Sequence, residues 1–217
     1  GISSYDFIGV DVSQPVSESE WKCLQSPGNQ GPVSFAIVRV YQSTGKVDPN
    51  GANTIRAAKQ AGIRHVDGYI FPCVQTSSPT NGCPSPEAQV NETVRSLESA
   101  GVRSSVGMLW YDIEPYNWSK DLNANVIFLK RMIEAGKRLN VKAGIYSNWN
   151  SWAEIMGKDW SYPKSQGLQV WYPHYDGLKT FSDFQSFGGW ETPSMKQYLG
   201  NKNSCGAEVD YNFYPRL

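Results

Sequence analysis

At positions 106–114 the chain reads Val106-Gly107-Met108-Leu109-Trp110-Tyr111-Asp112-Ile113-Glu114, an apolar and aromatic run that ends in two acids. Such a run is typical of a buried strand in a parallel sheet. Because side chains alternate along a strand, Asp112 and Glu114 are expected on the same face. Two like charges are costly on a face that water solvates poorly. A pair kept there indicates chemistry that needs one carboxyl protonated and the other ionised.

Strand-like and helix-like segments alternate on both sides of this stretch, which predicts an α/β fold. The other predicted strands cover residues 7–12, 35–41, 66–71, 141–146, 168–172, 195–199 and 208–211. The predicted helices cover residues 53–61, 86–100, 122–139 and 149–156. We therefore expect a single catalytic domain over residues 1–217, built as an irregular TIM-like barrel of five strand-helix units followed by three strands.

Three acids, Asp11, Asp112 and Glu114, lie at the carboxyl ends of predicted strands, and a fourth, Asp210, lies in the last strand. Barrel active sites lie at this end, and in a closed barrel the first strand neighbours the last. We expect the four carboxyls to converge on one mouth, with Asp11 beside Asp210. Such a group suits cleavage of a glycosidic bond. A divalent cation site is the weaker alternative because the flanking residues are apolar and aromatic, and we expect no metal and no cofactor.

The bulk composition narrows the possible partners. The 217 residues include 20 basic and 20 acidic side chains, so the formal net charge is +0 and strong attraction to nucleic acid is not expected. No apolar run reaches the roughly 20 residues of a membrane helix. Aromatic residues make up 13%, which favours either sugar stacking or a core of large side chains. We expect a monomer that binds neither nucleic acid nor membrane.

Five motifs, in chain order, resemble those of the glycoside hydrolase family 25 lysozymes. They are Gly9-Val10-Asp11-Val12-Ser13, Trp110-Tyr111-Asp112-Ile113-Glu114, Gly144-Ile145-Tyr146-Ser147, Trp171-Tyr172-Pro173-His174-Tyr175, and Lys196-Gln197-Tyr198 with Val209-Asp210-Tyr211-Asn212. Residues 35–43, 68–73 and 181–190 resemble the branch found in amoebae and nematodes. The resemblance extends over nearly the whole chain.

The resemblance implies a muramidase, which cleaves the β-1,4 bond between N-acetylmuramic acid and N-acetylglucosamine in bacterial peptidoglycan. By motif match, Glu114 would be the general acid and Asp112 would stabilise the developing positive charge. Asp11 and Asp210 would tune this pair and hold sugar or water. The family is thought to retain configuration with help from the acetamido group of the substrate.

Aromatic side chains predicted at the same rim are candidate sugar platforms: Tyr41, Tyr69, Tyr146, Trp171 and Tyr175. Each could equally fill the barrel. Tyr111 alternates away from Asp112 and is expected under a helix. Two alternative functions stay open, a non-catalytic barrel that binds peptidoglycan or chitin, and a chitinase-like hydrolase.

The four cysteines indicate the compartment. None forms a Cys-x-x-Cys pair, which argues against zinc. With the glycosylation tripeptides at Asn91 and Asn117, they favour a secreted or lysosomal/phagosomal protein. The barrel topology predicts the pairs Cys23–Cys205 and Cys73–Cys83, because the first joins segments beside the adjacent first and last strands and the second closes a short loop.

Overall fold

The computed structural model describes residues 6–28, 30–74 and 82–216. Within these residues the strands are β1 (Phe7–Val12), β2 (Phe35–Gln42), β3 (Lys46–Val47), β4 (His65–Ile70), β5 (Leu109–Asp112), β6 (Ala143–Tyr146), β7 (Gln169–Pro173), β8 (Met195–Ser204) and β9 (Ala207–Tyr214). The helices are α1 (Glu18–Leu24), α2 (Gly51–Gln60), α3 (Pro86–Ser99), α4 (Leu122–Arg138), α5 (Trp149–Ile155) and α6 (Tyr162–Ser165).

Eight strands close into a barrel in the order β1-β2-β4-β5-β6-β7-β8-β9, and β3 adds a short hairpin to β2. Neighbouring strands are parallel from β1 to β8, whereas β9 runs antiparallel to both β8 and β1. The prediction of a TIM-like barrel with five strand-helix units and three final strands is confirmed. None of the helices in the described part of the chain is long and apolar enough to cross a membrane.

The predicted elements differ from the structure mainly in length and at short helices. β5 begins at Leu109 rather than at residue 106, and a turn of 3-10 helix at Arg103–Ser105 precedes it. β8 and β9 form a long hairpin instead of two short strands. The seven-residue α1 was not predicted because it is too short to show a helical period, and a capping box between Ser17 and Glu20 starts it.

The barrel separates two layers of apolar side chains. One layer lies between sheet and helices, and the other fills the barrel with Phe35, Ile37, Tyr69, Trp110, Tyr146, Trp171 and Met195. Trp110 points inward and Tyr111 points outward, where the Tyr111 hydroxyl lies 3.5 Å from the Met132 carbonyl of α4, as expected. Gly144 makes room for Trp110, because a Cβ there would lie 2.4 Å from its ring.

Two disulfides confirm the predicted cysteine pairing. Cys23 of α1 is bonded to Cys205 in the turn between β8 and β9, across 182 residues of sequence. Cys73 and Cys83, which are 10 residues apart, close the loop after β4. The first bond joins the segment after the first strand to the hairpin that completes the barrel.

Removing the long-range disulfide should destabilise the protein more than removing the short-range one. In the chain-entropy description, the Cys23→Ser/Cys205→Ser variant should lose about 5 kcal/mol and the Cys73→Ser/Cys83→Ser variant about 3 kcal/mol. Urea unfolding of both double variants beside the unmodified protein measures the difference. Equal losses, or a larger loss for the short loop, would contradict this ranking.

Candidate active site

The barrel brings the four predicted acids together at the carboxyl ends of its parallel strands. Asp11 of β1 lies directly opposite Asp210 of β9 in the antiparallel ladder, as expected. Asp112 ends β5, and Glu114 follows it by two residues. Each of Asp11 and Asp112 is 6% exposed, whereas Asp210 and Glu114 are partly exposed. The mouth therefore has two buried carboxyls, each with a more accessible carboxyl beside it.

One amide side chain, that of Gln197 on β8, connects much of the mouth. Its Nε2 donates to Asp11 Oδ2 at 2.7 Å and to Asp210 Oδ2 at 3.3 Å. Its Oε1 accepts from the hydroxyls of Tyr146 at 2.6 Å and Tyr175 at 2.9 Å. Because donors and acceptors face opposite ends of the amide, its orientation is fixed.

A second amide, that of Asn212 on β9, supports Asp11 from below. Its Nδ2 donates to Asp11 Oδ2 at 2.8 Å, and its Oδ1 accepts from the indole Nε1 of Trp171 at 2.7 Å. Both Asn212 and Gln197 are almost fully buried. Buried polar groups of this kind are stable only when their hydrogen bonds are made, so the network rigidly positions Asp11.

Burial and neighbouring charge change the acidity of the two inner carboxyls. Burial raises the pKa of Asp112 well above its ordinary value, and the charge and hydrogen bond of Glu114 and the charge of Asp11 raise it further. Burial and the charge of Asp210 raise the pKa of Asp11, while the amides of Asn212 and Gln197 act in the opposite direction. Among the described residues, Asp112 Oδ1 has no hydrogen-bond partner. The mouth thus disfavours having all its carboxyls ionised at once.

Three of the predicted sugar platforms border the mouth. Tyr69 lines a cavity with Asp11 and Asp210, and the Tyr146 hydroxyl donates to Gln197; burial together with the charges of Asp11 and Asp112 raises the pKa values of both tyrosines. Tyr175 is 53% exposed, and its ring covers Gly200. These three tyrosines are positioned to meet a ligand in the mouth.

The other two predicted platforms lie elsewhere. Trp171 is 2% exposed inside the barrel, where it supports Asn212 from beneath the mouth. Tyr41 is fully buried in the layer between sheet and helices, and burial and the charge of Glu92 on α3 raise its pKa. The prediction that Tyr41 lies at the rim is wrong. The pairing of β2 with β4 shifts register between Arg39 and Tyr41, and beyond this shift the Tyr41 side chain lies on the helix side of the sheet.

A cavity of about 190 Å³ opens between β1 and the β8–β9 hairpin. Asp11, Tyr69 and Asp210 line it together with Asn201 and Lys202. The Asp210 carboxylate is held in place there by the backbone N–H of Asn201, which donates to Oδ1 at 2.8 Å. The cavity gives a polar ligand direct access to two of the four acids.

Sequence reasoning did not identify Gln197 and Asn212 as site residues. Both lie inside motifs that resemble the family, but an amide carries no charge and by itself does not indicate acid–base chemistry. The available signal was position, since Gln197 alternates with the inward-facing Met195 and Asn212 alternates with Asp210. A polar residue there requires a buried partner, and the acids were the partners to consider.

Comparisons with known proteins agree in pointing to one family. The family model described as Lys-1: Lysozyme-like protein 1 matches residues 3–198. The chain is 38% identical over 209 residues to the probable GH family 25 lysozyme 4 of Dictyostelium discoideum, covering 96% of this chain and 91% of that protein. It is 38% identical over 208 residues to lysozyme-like protein 5 of Caenorhabditis elegans, covering 95% and 91% respectively. In fold it is similar to a GH25 lysozyme structure from Aspergillus fumigatus, with a TM-score of 0.70, 15% identity and coverage of 98% and 95%.

Replacing Asp112 with a neutral amide should stabilise the folded protein, because burial opposes ionisation of this carboxyl. The folded state binds the Asp112 proton more tightly than the unfolded chain does. The resulting stability is therefore present below the ordinary pKa of 3.8 and is lost as pH rises through the raised folded-state pKa. Asn at this position cannot ionise, so at pH 7 the Asp112→Asn variant should be more stable than the unmodified protein, by about 1 kcal/mol or more.

Urea unfolding at pH 7 and at pH 3.5 checks this expectation. The advantage of Asp112→Asn should be present at pH 7 and should largely disappear at pH 3.5. Asp159→Asn, at an exposed position, serves as the control and should change stability by less than about 0.5 kcal/mol. An Asp112→Asn variant that is less stable at pH 7 would show that the buried carboxylate is well compensated.

Proposed function

The chain belongs to the glycoside hydrolase family 25 lysozymes, and on that premise we propose that it hydrolyses the β-1,4 bond between N-acetylmuramic acid and N-acetylglucosamine in bacterial peptidoglycan. The observation that carries the proposal is the four-carboxyl mouth, in which Asp112 is buried against Glu114. Family membership makes the protein a glycoside hydrolase, and the mouth supplies the paired carboxyls that this chemistry requires.

Glu114 is the general acid in this proposal. It lies in the loop just beyond β5 and is partly exposed, so it can reach the oxygen of the leaving sugar. Asp112 is buried beside it, and the hydrogen bond between the two carboxyls lets them share one proton, which we place on Glu114 in the reacting complex. The proton on Glu114 passes to the glycosidic oxygen as the bond to the anomeric carbon breaks.

Asp112 stabilises the positive charge that develops as the leaving group departs. The 2-acetamido oxygen of the substrate attacks the anomeric carbon, and the Asp112 carboxylate balances the charge that builds up on the acetamido group. Water then opens this intermediate, with Glu114 accepting its proton. The enzyme needs no nucleophile of its own, and two displacements at the same carbon retain its configuration.

Asp11 and Asp210 hold sugar or water beside the reacting pair. Asp11 is fixed by Gln197 and Asn212, while Asp210 lines the adjoining cavity with Tyr69. Their negative charges also oppose ionisation of the inner carboxyls. Tyr175 offers an exposed ring face suited to a sugar, Tyr69 lines the cavity beside Asp11, and Tyr146 holds Gln197 in place.

We place this activity in a secreted or lysosomal/phagosomal compartment. The two disulfides support that location, because such bonds persist in oxidising surroundings. The protein would act there as a monomer on an extended polysaccharide, without a cofactor.

Removing the proposed general acid should abolish most of the activity without unfolding the protein. Glu114→Gln should lower the rate of bacterial cell-wall clearing by about 10²–10⁴-fold, since Gln cannot donate a proton. Glu191→Gln, at an exposed position in the loop between β7 and β8, is the matched control and should leave the rate unchanged.

A turbidity assay on cell walls, with thermal unfolding of each variant, measures both effects. Near-normal clearing by Glu114→Gln would place the acid elsewhere. Absence of clearing by the unmodified protein, with retained binding to cell walls, would favour the non-catalytic binding barrel.

Gln197 should control how activity depends on pH. Gln197→Leu removes one of the two amide hydrogen bonds that lower the pKa of Asp11, and with it the hydrogen bond to Asp210 Oδ2. Since hydrogen bonds to charged groups are worth about 1.5–3 kcal/mol, kcat should fall about ten- to a hundredfold. The acid limb of the pH profile should also move to higher pH, because Asp11 becomes harder to ionise.

The measurement is the pH dependence of kcat on a soluble peptidoglycan fragment. Gln60→Leu, at the exposed end of α2, controls for the change of residue type. A Gln197→Leu variant with lower stability but an unmoved pH profile would reduce Gln197 to a structural role.

A further inference from the structure

A second groove of about 270 Å³ lies on the same rim, beside the four-carboxyl mouth. We call it the rim groove and define it by its lining residues: Asn148, Trp149, Asn150, Tyr172, Pro173, His174, Asp183, Phe184, Gln185 and Phe187. No step of the proposed hydrolysis uses these side chains. Its composition, with aromatic rings among amides and an imidazole, is typical of a ligand site rather than of a packed core.

The two strands that border the rim groove also position tyrosines of the catalytic network. One wall is the segment after β6, and the last residue of β6, Tyr146, donates to Gln197. The other wall is the end of β7, which is followed by Tyr175, and Tyr175 donates to the same amide. The rim groove therefore lies at the ends of the same two strands that bring Tyr146 and Tyr175 to the mouth.

Trp149 gives the groove an aromatic surface. It is 37% exposed, whereas the other seven tryptophans of the chain are buried or partly buried. Large exposed aromatic side chains also follow the two neighbouring strands, Tyr116 after β5 at 50% and Tyr175 after β7 at 53%. Three exposed rings therefore follow the successive strands β5, β6 and β7 at this rim, and the apolar face of a sugar ring can stack on such a ring.

Polar atoms in the groove remain available for a ligand. Asn148 uses its Oδ1 to accept from Ser151 N at 2.9 Å, which leaves its NH₂ group for other partners. His174 bonds through Nδ1 to Asp183 Oδ2 at 2.6 Å, so its Nε2 is on the open side of the ring. Hydroxyl and acetamido groups are the natural partners of this set.

The charge of the groove favours a neutral ligand over an anionic one. Its acid, Asp183, and the adjacent Asp176 both bond to the fully buried ammonium of Lys196, at 3.1 Å and 2.9 Å. Hydrogen bonds from His174 and Tyr172 further hold the pKa of Asp183 below its ordinary value. Because two carboxylates share this one ammonium, negative charge remains beside the groove, and an anionic ligand would meet no free positive charge there.

We propose that the rim groove is a sugar subsite that binds one neutral N-acetylated ring of the glycan chain, with Trp149 as its stacking platform. Its volume is below the roughly 300 Å³ at which pockets for larger ligands begin, which suits a single ring. The role of the subsite in positioning a substrate rests on the proposed hydrolase function, whereas its binding of a neutral glycan does not.

The test uses Glu114→Gln protein, so that a bound oligosaccharide is not cleaved, and the neutral hexamer of N-acetylglucosamine as the probe. The hexamer should protect tryptophan fluorescence from iodide quenching, because Trp149 is the tryptophan that iodide reaches most readily. Adding Trp149→Ala should remove this protection and weaken hexamer binding by about two- to tenfold. Adding Ile127→Ala, at an exposed apolar position on α4, should leave both quantities unchanged.

Each outcome decides a separate point. Equal hexamer affinity with and without Trp149, or quenching that the hexamer does not alter, would overturn the subsite and restrict binding to the mouth. Protection of Trp149 in a protein whose unmodified form cleaves no peptidoglycan would sustain the subsite and reject the proposed hydrolysis. In active protein, Trp149→Ala should raise KM for long glycan chains more than for the shortest substrate that is cleaved.

Discussion

Two carboxyls buried at the mouth of an aromatic barrel are the constraint on which the rest of this site depends. Asp11 and Asp112 are each almost inaccessible, and each lies beside another acid. Burial of like charges is unfavourable unless polar partners replace the lost water. For Asp11 those partners are the amides of Gln197 and Asn212, whereas Asp112 has a carboxyl neighbour, and its Oδ1 accepts no hydrogen bond from the residues that the structure describes. The neighbours of Asp11 include amides that favour its ionised form, whereas the carboxyl beside Asp112 disfavours ionisation. The proposed chemistry depends on this difference.

The topology explains how these partners reach one place. The reversed strand β9 lies between β1 and β8, so Asp210 and Asn212 meet Asp11 on one side and Gln197 on the other. The Cys23–Cys205 bond holds the hairpin that carries them to the segment after β1. Beneath the mouth, Trp171 supports Asn212, and Trp110 is anchored at 2.9 Å to Asp67. The site is therefore supported by a packed aromatic interior as well as by its rim.

The sequence was sufficient to predict the barrel, the convergence of the acids and the disulfides. Alternation of strands and helices, with acids at strand ends, carries this information because the barrel places all carboxyl ends on one side. Alternation also predicted that Tyr111 packs under α4. It failed for Tyr41, since the register shift after Arg39 changes which face a side chain occupies. Gln197, Asn212 and the rim groove could not be predicted in the same way, because uncharged side chains acquire a role only from partners brought in by distant strands.

The central claim is that this mouth cleaves one particular bond of peptidoglycan. Mass analysis of the fragments released from purified peptidoglycan tests it directly, because the sugar at the new reducing end identifies the bond. The account predicts N-acetylmuramic acid at every new reducing end. N-acetylglucosamine at those ends, or cleavage of chitin oligomers with peptidoglycan left intact, would contradict it.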